Sequence, residues 1–374
     1  MTPPDITLPN HLIPRDGRFG SGPSNVDPSA VEALAAIGSA YLGTSHRQRP
    51  VREVVGRIRR GLAELYSLPD HYEVLLGVGG ATAFWDAAAF GLIEQTSQHL
   101  VFGEFSGKFA RVVEQAPHLG PPQIIESAPG SHPGASPDAA VDLYALTHNE
   151  TSTGVMMPVT RPPGVDGLVA VDATSAAGVV PVDPGEFDVY YFSPQKAFGS
   201  EGGLWVALCS PVAVRRIEAI AASSRWRPAF LGLDLALDNS RKDQTYNTPA
   251  LATLFLLAHQ IDRMLSLGGL AWSQDRSGRS SRTLYGWAEA SDYASPFVSD
   301  PAKRSMTVAT IDVIDDLSAD AIEAVLRTNG IVDTFGYRKL GRNQLRIACF
   351  PNIDPNDVAT LTGALDYIAE RLAD

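Results

Sequence analysis

Two apolar stretches that each lead into an ionisable residue constrain this chain more than anything else in it. Residues 168–171 read Leu-Val-Ala-Val and run into Asp172-Ala173-Thr174-Ser175. Residues 188–192 read Asp-Val-Tyr-Tyr-Phe and run into Ser193-Pro194-Gln195-Lys196. Short apolar runs of this kind are the pattern of buried strands. Two adjacent strands would deliver an acid and an amine to the same edge of a sheet. That pairing suits pyridoxal 5′-phosphate: the amine condenses with the aldehyde, and the acid holds the ring nitrogen protonated.

Lys196 is one of five lysines, with Lys108, Lys242, Lys303 and Lys339. Lysine is ordinarily a solvated surface charge. Lys196 instead follows an apolar strand and precedes Ala-Phe-Gly. Desolvation there lowers an amine's pKa, and the neutral form is the one that attacks an aldehyde. Asp172 alone fits a helix N-cap or a loop turn equally well. Its place before a matching strand-end lysine favours a ring-nitrogen partner, which would raise the nitrogen's pKa and keep the ring an electron acceptor.

The surrounding pattern predicts an α/β fold. Residues 1–26 are irregular and rich in Pro and Gly. Asp27-Pro28 starts a helix towards Tyr41, and apolar residues at helical spacing place another over 51–66. Strands and helices then alternate: strand 72–76, helix 81–93, strand 99–102, helix 105–115, and short strands near Ile124, Leu143, Val169, Tyr190 and Val206. Alternation of this kind predicts a mainly parallel sheet covered by helices. A helix over 249–265 leads to Gly268-Gly269. There the chain divides into a large cofactor-binding domain with the N-terminal segment, 1–267, and a smaller C-terminal α/β domain, 268–374. In the latter the pattern predicts helices over 283–289, 319–327 and 355–372 and strands over 306–313 and 344–350.

The net charge of −12 argues against nucleic acid or an anionic membrane as partner, so anionic ligands would need local positive clusters. Cys209 and Cys349 are too few for a disulfide framework and lack metal spacing. No apolar run reaches membrane-spanning length. The start, Met1-Thr2-Pro3-Pro4-Asp5, has no signal-type apolar core, and a cytoplasmic location is expected.

Further candidates carry less weight singly. Gly77-Val78-Gly79-Gly80-Ala81-Thr82-Ala83 follows a strand and opens a helix, either a phosphate cradle or a plain tight turn. It lacks the Lys-Ser/Thr ending of a nucleotide P-loop. Phe105 is a stacking face for a flat cofactor or a core residue. Thr151, within His148-Asn149-Glu150-Thr151-Ser152-Thr153-Gly154, is a donor to a phenolic oxygen or a polar loop residue. Arg47 and the cluster Arg338, Arg342 and Arg346 offer forks for carboxylate or phosphate. Lys339 and Arg342 read as solvated, whereas Arg346 lies in an apolar strand, where a charge needs a partner.

Taken in order, Phe19-Gly20-Ser21-Gly22-Pro23, Ser45-His46-Arg47, Gly79-Gly80-Ala81-Thr82, Asp172, Gln195-Lys196 and Tyr246-Asn247-Thr248-Pro249 resemble the phosphoserine aminotransferases, class V members of the fold-type I pyridoxal-phosphate enzymes. The match runs from about residue 17 to the C-terminus. The resemblance implies a homodimer with shared active sites. It makes Lys196 the lysine that binds the cofactor covalently and Asp172 the ring-nitrogen partner. It gives Ala81, Thr82 and Gln195 to the cofactor phosphate, with Asn247 and Thr248 reaching that phosphate from the other subunit. Thr151 would bond the ring hydroxyl and Phe105 would stack on the ring. His46, Arg47, Arg338 and Arg346 would hold the substrate's phosphate and carboxylates. The implied reaction moves an amino group from L-glutamate to 3-phosphohydroxypyruvate, with the related phosphohydroxythreonine pair of pyridoxine synthesis often shared. Many members carry Trp at Phe105 and His at Tyr337. Phe keeps the stacking face without the indole N–H, and Tyr keeps a donor without a titratable cation. The alternatives are a glyoxylate-using class V aminotransferase, a cysteine desulfurase, and a non-catalytic scaffold. The desulfurase needs a mobile cysteine, which neither Cys209 nor Cys349 suits.

Overall fold

The computed structural model describes residues 6–373. The start of the chain, 1–5, read as lacking a signal-type core, lies outside the described residues. Helix α1 (Pro28–Tyr41) begins as its cap dictates: the Asp27 carboxylate accepts the Ser29 N–H at 2.9 Å, and Pro28 needs no backbone partner. Helix α2 (Arg49–Leu65) buries Val51, Val54, Val55, Ile58, Leu62 and Leu65 along one stripe. Strands and helices then alternate: β1 (Glu73–Val78), α3 (Gly80–Gly91), β2 (Ser97–Val101), α4 (Glu104–Glu114) and β3 (Gln123–Glu126). Next come β4 (Leu143–Thr147), a small hairpin of β5 (Asn149–Glu150) and β6 (Val155–Met156), β7 (Leu168–Asp172), β8 (Val189–Phe192) and β9 (Leu204–Cys209).

The seven-stranded sheet has the order β1-β9-β8-β7-β4-β2-β3. Its pairs β8/β7, β7/β4, β4/β2 and β2/β3 are parallel, and β9 runs antiparallel to both its neighbours. Every residue of β4, β7, β8 and β9 is buried. Side chains alternate between two faces with period two. Tyr144, Leu146, Val169, Val171, Tyr190 and Phe192 join a core with α2 and with Leu254, Leu257 and Ile261. Leu143, Ala145, Leu168, Ala170, Val189 and Tyr191 join another with Phe84, Phe109, Ile217 and Leu237. Both faces are therefore covered, as a parallel sheet requires.

The chain continues through α5 (Pro211–Ala222), α6 (Leu233–Ser240), α7 (Leu251–Ser266), α8 (Gly269–Ala290), β10 (Ala294–Pro296), β11 (Val308–Val313), α9 (Ala319–Thr328), β12 (Gln344–Ala348) and α10 (Pro355–Ala373). Strands β10, β11 and β12 form an antiparallel sheet. Leu284, Ile322, Val325, Leu361, Leu365 and Ile368 pack with it in a third core, joined by Leu8 and Phe19 from the start of the chain.

Helices α5, α6 and α8, strand β10 and the β5–β6 hairpin depart from the sequence expectation. Helix α6, strand β10 and the β5–β6 hairpin carry too little apolar pattern to stand out, whereas α5 carries one that was passed over: Ser210 caps it, Pro211 opens it, and Val214, Ile217 and Ile220 recur at helical spacing. Helix α8 is three times the length of the 283–289 segment expected. Its first half is Ser- and Gly-rich, yet Ser273, Ser277, Gly278, Ser280 and Ser281 are buried. Small side chains let neighbouring helices approach, so packing outweighs weak propensity. Among the described residues, no helix is long and apolar enough to cross a membrane, and no group of three or more His, Cys, Asp or Glu is placed to hold a metal.

The α2–α7 contact depends on Gly61, where an added Cβ would lie 2.5 Å from Ile261 Cγ2. Gly61→Val is expected to lower unfolding free energy by about 1–3 kcal/mol through overpacking. Urea denaturation checks this, and an unchanged midpoint would show that the helices part freely.

Candidate active site

The carboxyl ends of β1, β4, β7 and β8 meet at one edge of the large sheet. In such sheets ligands bind outside this edge. A cavity of about 500 Å³ opens there, lined by Gly79, Gly80, Ala81, Thr82, Trp85, Phe105, Thr151, Asp172, Gln195, Lys196, Tyr337 and Arg346 among others. That volume lies in the range of small-molecule sites.

Asp172 ends β7, in register with Tyr191 of β8, and Lys196 follows β8 by four residues. Both are 7% exposed. The Thr174 backbone N–H donates to Asp172 Oδ1 at 2.9 Å. Burial pushes the Asp172 carboxyl above the usual range, opposed by that N–H and by the nearby Lys196 amine. Lys196 Nζ donates to Thr151 Oγ1 at 2.7 Å. Thr151 donates to Ser175 Oγ at 2.9 Å, and Ser175 donates to the Asn149 carbonyl at 2.9 Å. Burial pulls the Lys196 amine down to about 8, with Asp172 opposing and Arg346 assisting. Its neutral form is thus available near physiological pH.

The glycine turn forms a cradle. Gly79 and Gly80 have φ of 105° and 71°, a region open mainly to glycine. A Cβ on Gly79 would lie 2.6 Å from the Ala83 Cβ. Helix α3 has no side-chain cap at its N-terminus, so the first N–H groups, those of Ala81 and Thr82 included, are free for an anion. Gln195 Oε1, Thr174 Oγ1 and Arg346 Nε are buried without a partner. Buried polar atoms of this kind call for a ligand or water.

The Phe105 ring faces this cavity, with Lys196 Nζ 5.4 Å from its centroid. Tyr337 leans on it at 5.9 Å and 59°. Arg346, on β12, is half-buried; its Nη1 donates to the Thr151 carbonyl at 3.4 Å, and its guanidinium lies 5.3 Å from the Tyr337 ring. Burial lowers its pKa. Lys339 and Arg342 are exposed as expected, yet each is paired: Lys339 with Glu104 and Arg342 with Asp312, both at 2.6 Å.

Sequence reasoning passed over Glu150. This carboxylate is 0% exposed. It accepts the backbone N–H groups of Phe105 and Ser106 and the hydroxyls of Ser106 and Ser152, at 2.7–3.1 Å. It thereby ties the start of α4, and with it the Phe105 ring, to the hairpin that carries Thr151. Its sequence carries little sign of this: Glu150 stands in a polar run, next to Thr151, with no apolar neighbour to mark it as buried.

Five candidates lie away from this cavity. Arg338 is exposed on the turn after Tyr337 and borders a separate depression with Asp320, Glu323 and Arg342. His46, Arg47, Asn247 and Thr248 form a separate group. The Thr248 hydroxyl and His46 Nδ1 are 3.3 Å apart, Arg47 and Thr248 are exposed, and none of the four lines the cavity.

The aminotransferase class-V family model matches residues 136–338. The putative phosphoserine aminotransferase of Mycobacterium avium is 58% identical across 98% of both chains. The chain belongs to the phosphoserine aminotransferase family of class-V aminotransferases. The phosphoserine aminotransferase of a Nocardioides species is 57% identical, covering 98% of this chain and 99% of its own. The solved phosphoserine aminotransferase of Cytophaga hutchinsonii superposes with a TM-score of 0.87 at 26% identity, over 94% of this chain and 99% of its own. That of Bacillus circulans subsp. alkalophilus shares the fold, with a TM-score of 0.82 at 19% identity over 96% and 99%. Pyridoxal 5′-phosphate is the cofactor of this family, and the residues here fit it. The glycine cradle suits a phosphate, the unpartnered polar atoms suit its substituents, and a buried acid and amine flank the space for its ring.

Because the Lys196 amine sits near 8 rather than at the ordinary 10.5, attachment of pyridoxal phosphate to cofactor-free protein should speed up as pH rises through about 8, then level off. Stopped-flow recording of the visible band across pH 6–11 checks this. A rise centred near 10 would remove desolvation as the activating cause.

Proposed function

We propose that the protein is a phosphoserine aminotransferase that moves the amino group of L-glutamate to 3-phosphohydroxypyruvate, giving 2-oxoglutarate and O-phospho-L-serine by alternating half-reactions. The observation that carries the reading is the buried Lys196–Asp172 pair at the mouth of a glycine phosphate cradle. When bound, pyridoxal phosphate supplies the carbonyl that accepts the amino group and a ring that takes up electron density. Ala81, Thr82 and Gln195 would hold its phosphate, Phe105 its face and Thr151 its hydroxyl. Asp172 would hold a negative charge beside the ring nitrogen. Lys196 Nζ, when not bound to the cofactor, would take the proton from the substrate Cα and deliver it to the carbonyl-derived carbon on the far side of the amino nitrogen. In the second half-reaction it moves the proton back. Arg346 offers an inward fork for the α-carboxylate, and its unpartnered Nε is a donor in waiting. Arg338, next in sequence to the cavity-lining Tyr337, would supply charge for the distal anion.

The same donors suit the phosphohydroxythreonine pair of pyridoxine synthesis, one hydroxymethylene longer. The desulfurase alternative is disfavoured because both thiols are buried, with Cys349 pushed up to about 12 and Cys209 higher still, each by burial. Buried free thiols also suit the reducing cytoplasm. The division at 267/268 is kept as a working boundary between cofactor-binding and small domains.

A homodimer with shared sites is part of this proposal. His46, Arg47, Asn247 and Thr248 cluster on the surface beside apolar residues that a lone chain leaves open: Phe230 is 53% and Tyr246 38% exposed. Phe230, Tyr246 and Asn247 border one shallow depression. A second copy seated there would carry His46 and Arg47 to a neighbouring substrate and Asn247 and Thr248 to a neighbouring phosphate.

Two experiments test the reading. Purified protein is expected to form O-phosphoserine from glutamate and 3-phosphohydroxypyruvate, and Lys196→Ala to lose both the visible band and at least about 10⁴ of the rate. Full activity in that variant would end the assignment. Lys196→Ala and Arg47→Ala proteins, each nearly inactive, should regain activity when unfolded and refolded together, because a hybrid dimer contains one intact site. No recovery in a mixture shown to contain hybrids would place Arg47 outside any shared site.

A further inference from the structure

Helix α3 carries the phosphate cradle at its N-terminus and, one turn on, Trp85. Its indole is 4% exposed and borders the cavity. The single indole N–H lies 3.3 Å from Asp172 Oδ2 and 3.1 Å from the Tyr191 hydroxyl. Tyr191 is held in turn by Phe84, stacked on it with centroids 4.3 Å apart. The two Asp172 oxygens are thus served from different elements: Oδ1 by the Thr174 N–H and Oδ2 by Trp85.

We propose that Trp85 is a positioning residue for the ring-nitrogen carboxylate, donating its indole N–H to Asp172 so that the acid stays ionised and aimed into the cavity, with the Tyr191 hydroxyl as a competing acceptor. This rests on the reading of Asp172 given above. A buried carboxylate needs donors to stay charged, and donors to an ionised acceptor are the strong ones. The charged and titratable groups facing Asp172 are Lys196, Glu150, Tyr190 and Tyr191. Of these only Lys196 is cationic, and it becomes neutral near pH 8. A neutral donor that cannot titrate is therefore the steadier support for the anion. Since Trp85 shares a helix with Ala81 and Thr82, the same rigid element sets the distance between the phosphate and ring-nitrogen contacts. A purely structural indole needs no carboxylate, because the Tyr191 oxygen alone would satisfy its N–H.

The test uses the full-length protein freed of cofactor and pyridoxamine 5′-phosphate as probe, which forms no bond to Lys196. Calorimetry at pH 7.5 should show about tenfold weaker binding for Trp85→Phe, the loss of one hydrogen bond to a charged group. In an Asp172→Asn background the same change should cost less than about twofold, since the interaction it removes is already weakened. Tyr191→Phe, which hands the whole N–H to Asp172, should bind as well as wild type or more tightly. In the loaded enzyme, Trp85→Phe should lower kcat with little change in either KM. Binding by Trp85→Phe within twofold of wild type, or an undiminished loss on the Asp172→Asn background, would overturn the proposal. Should Trp85→Phe fail to fold, fivefold weaker binding by Tyr191→Phe overturns it and equal or tighter binding supports it. Wild-type affinity in Asp172→Asn alone would instead defeat the ring-nitrogen reading, a distinct result.

Discussion

Desolvation of the Lys196 amine is the constraint around which the rest is arranged. An ammonium held out of water costs several kcal/mol unless it is paired or gives up its proton. Here it is offered both routes: a carboxylate nearby and a pKa drawn down to about 8. Asp172 faces the mirror-image problem and is answered with N–H donors from Thr174 and Trp85. Two fully buried parallel strands, β7 and β8, hold this balance in place. Asp172 ends β7 and Lys196 lies in the buried turn four residues after β8, so the sheet and that turn together set their separation.

Much of this was legible beforehand. The strand-end acid and amine could be read because a fully buried strand is a short apolar run, and an ionisable residue at its end has nowhere to hide. The Asp27-Pro28 helix start and the α2 stripe were legible for the same local reason. What the pattern withheld is tertiary in origin. Helix α8 is held by packing of its small residues, which leave no periodic apolar trace. Trp85 reads as one more core aromatic on an Ala-rich helix, and its indole gains meaning only when the β7 carboxylate is seen opposite. Glu150 is silent in sequence because its partners are backbone N–H groups more than forty residues away. His46, Arg47, Arg338, Asn247 and Thr248 stand outside the cavity of this chain, and neither their type nor their spacing along the sequence carries a sign of that.

The acidity of the whole chain and the cationic character of the site are reconciled by placement. Most arginines are spent on surface carboxylates, as in the pairs of Arg59 with Asp243 and Arg227 with Asp234. Arg346 has no carboxylate within reach among the described pairs and rests on aromatic faces and a carbonyl instead. Its guanidinium therefore lines the cavity without a carboxylate partner among the described residues. Glu150, the carboxylate whose field reaches it, is taken up by the N–H groups of Phe105 and Ser106 and by the Ser106 and Ser152 hydroxyls.

The hydroxyl relay beneath the amine has a direction. Lys196 gives a hydrogen to Thr151, Thr151 to Ser175, and Ser175 to the Asn149 carbonyl, which has none to give back. The relay therefore cannot reverse its polarity while that carbonyl terminates it. With one N–H committed to Thr151, the Lys196 amine is tethered by a row of ordinary side chains whose hydrogens all run away from it.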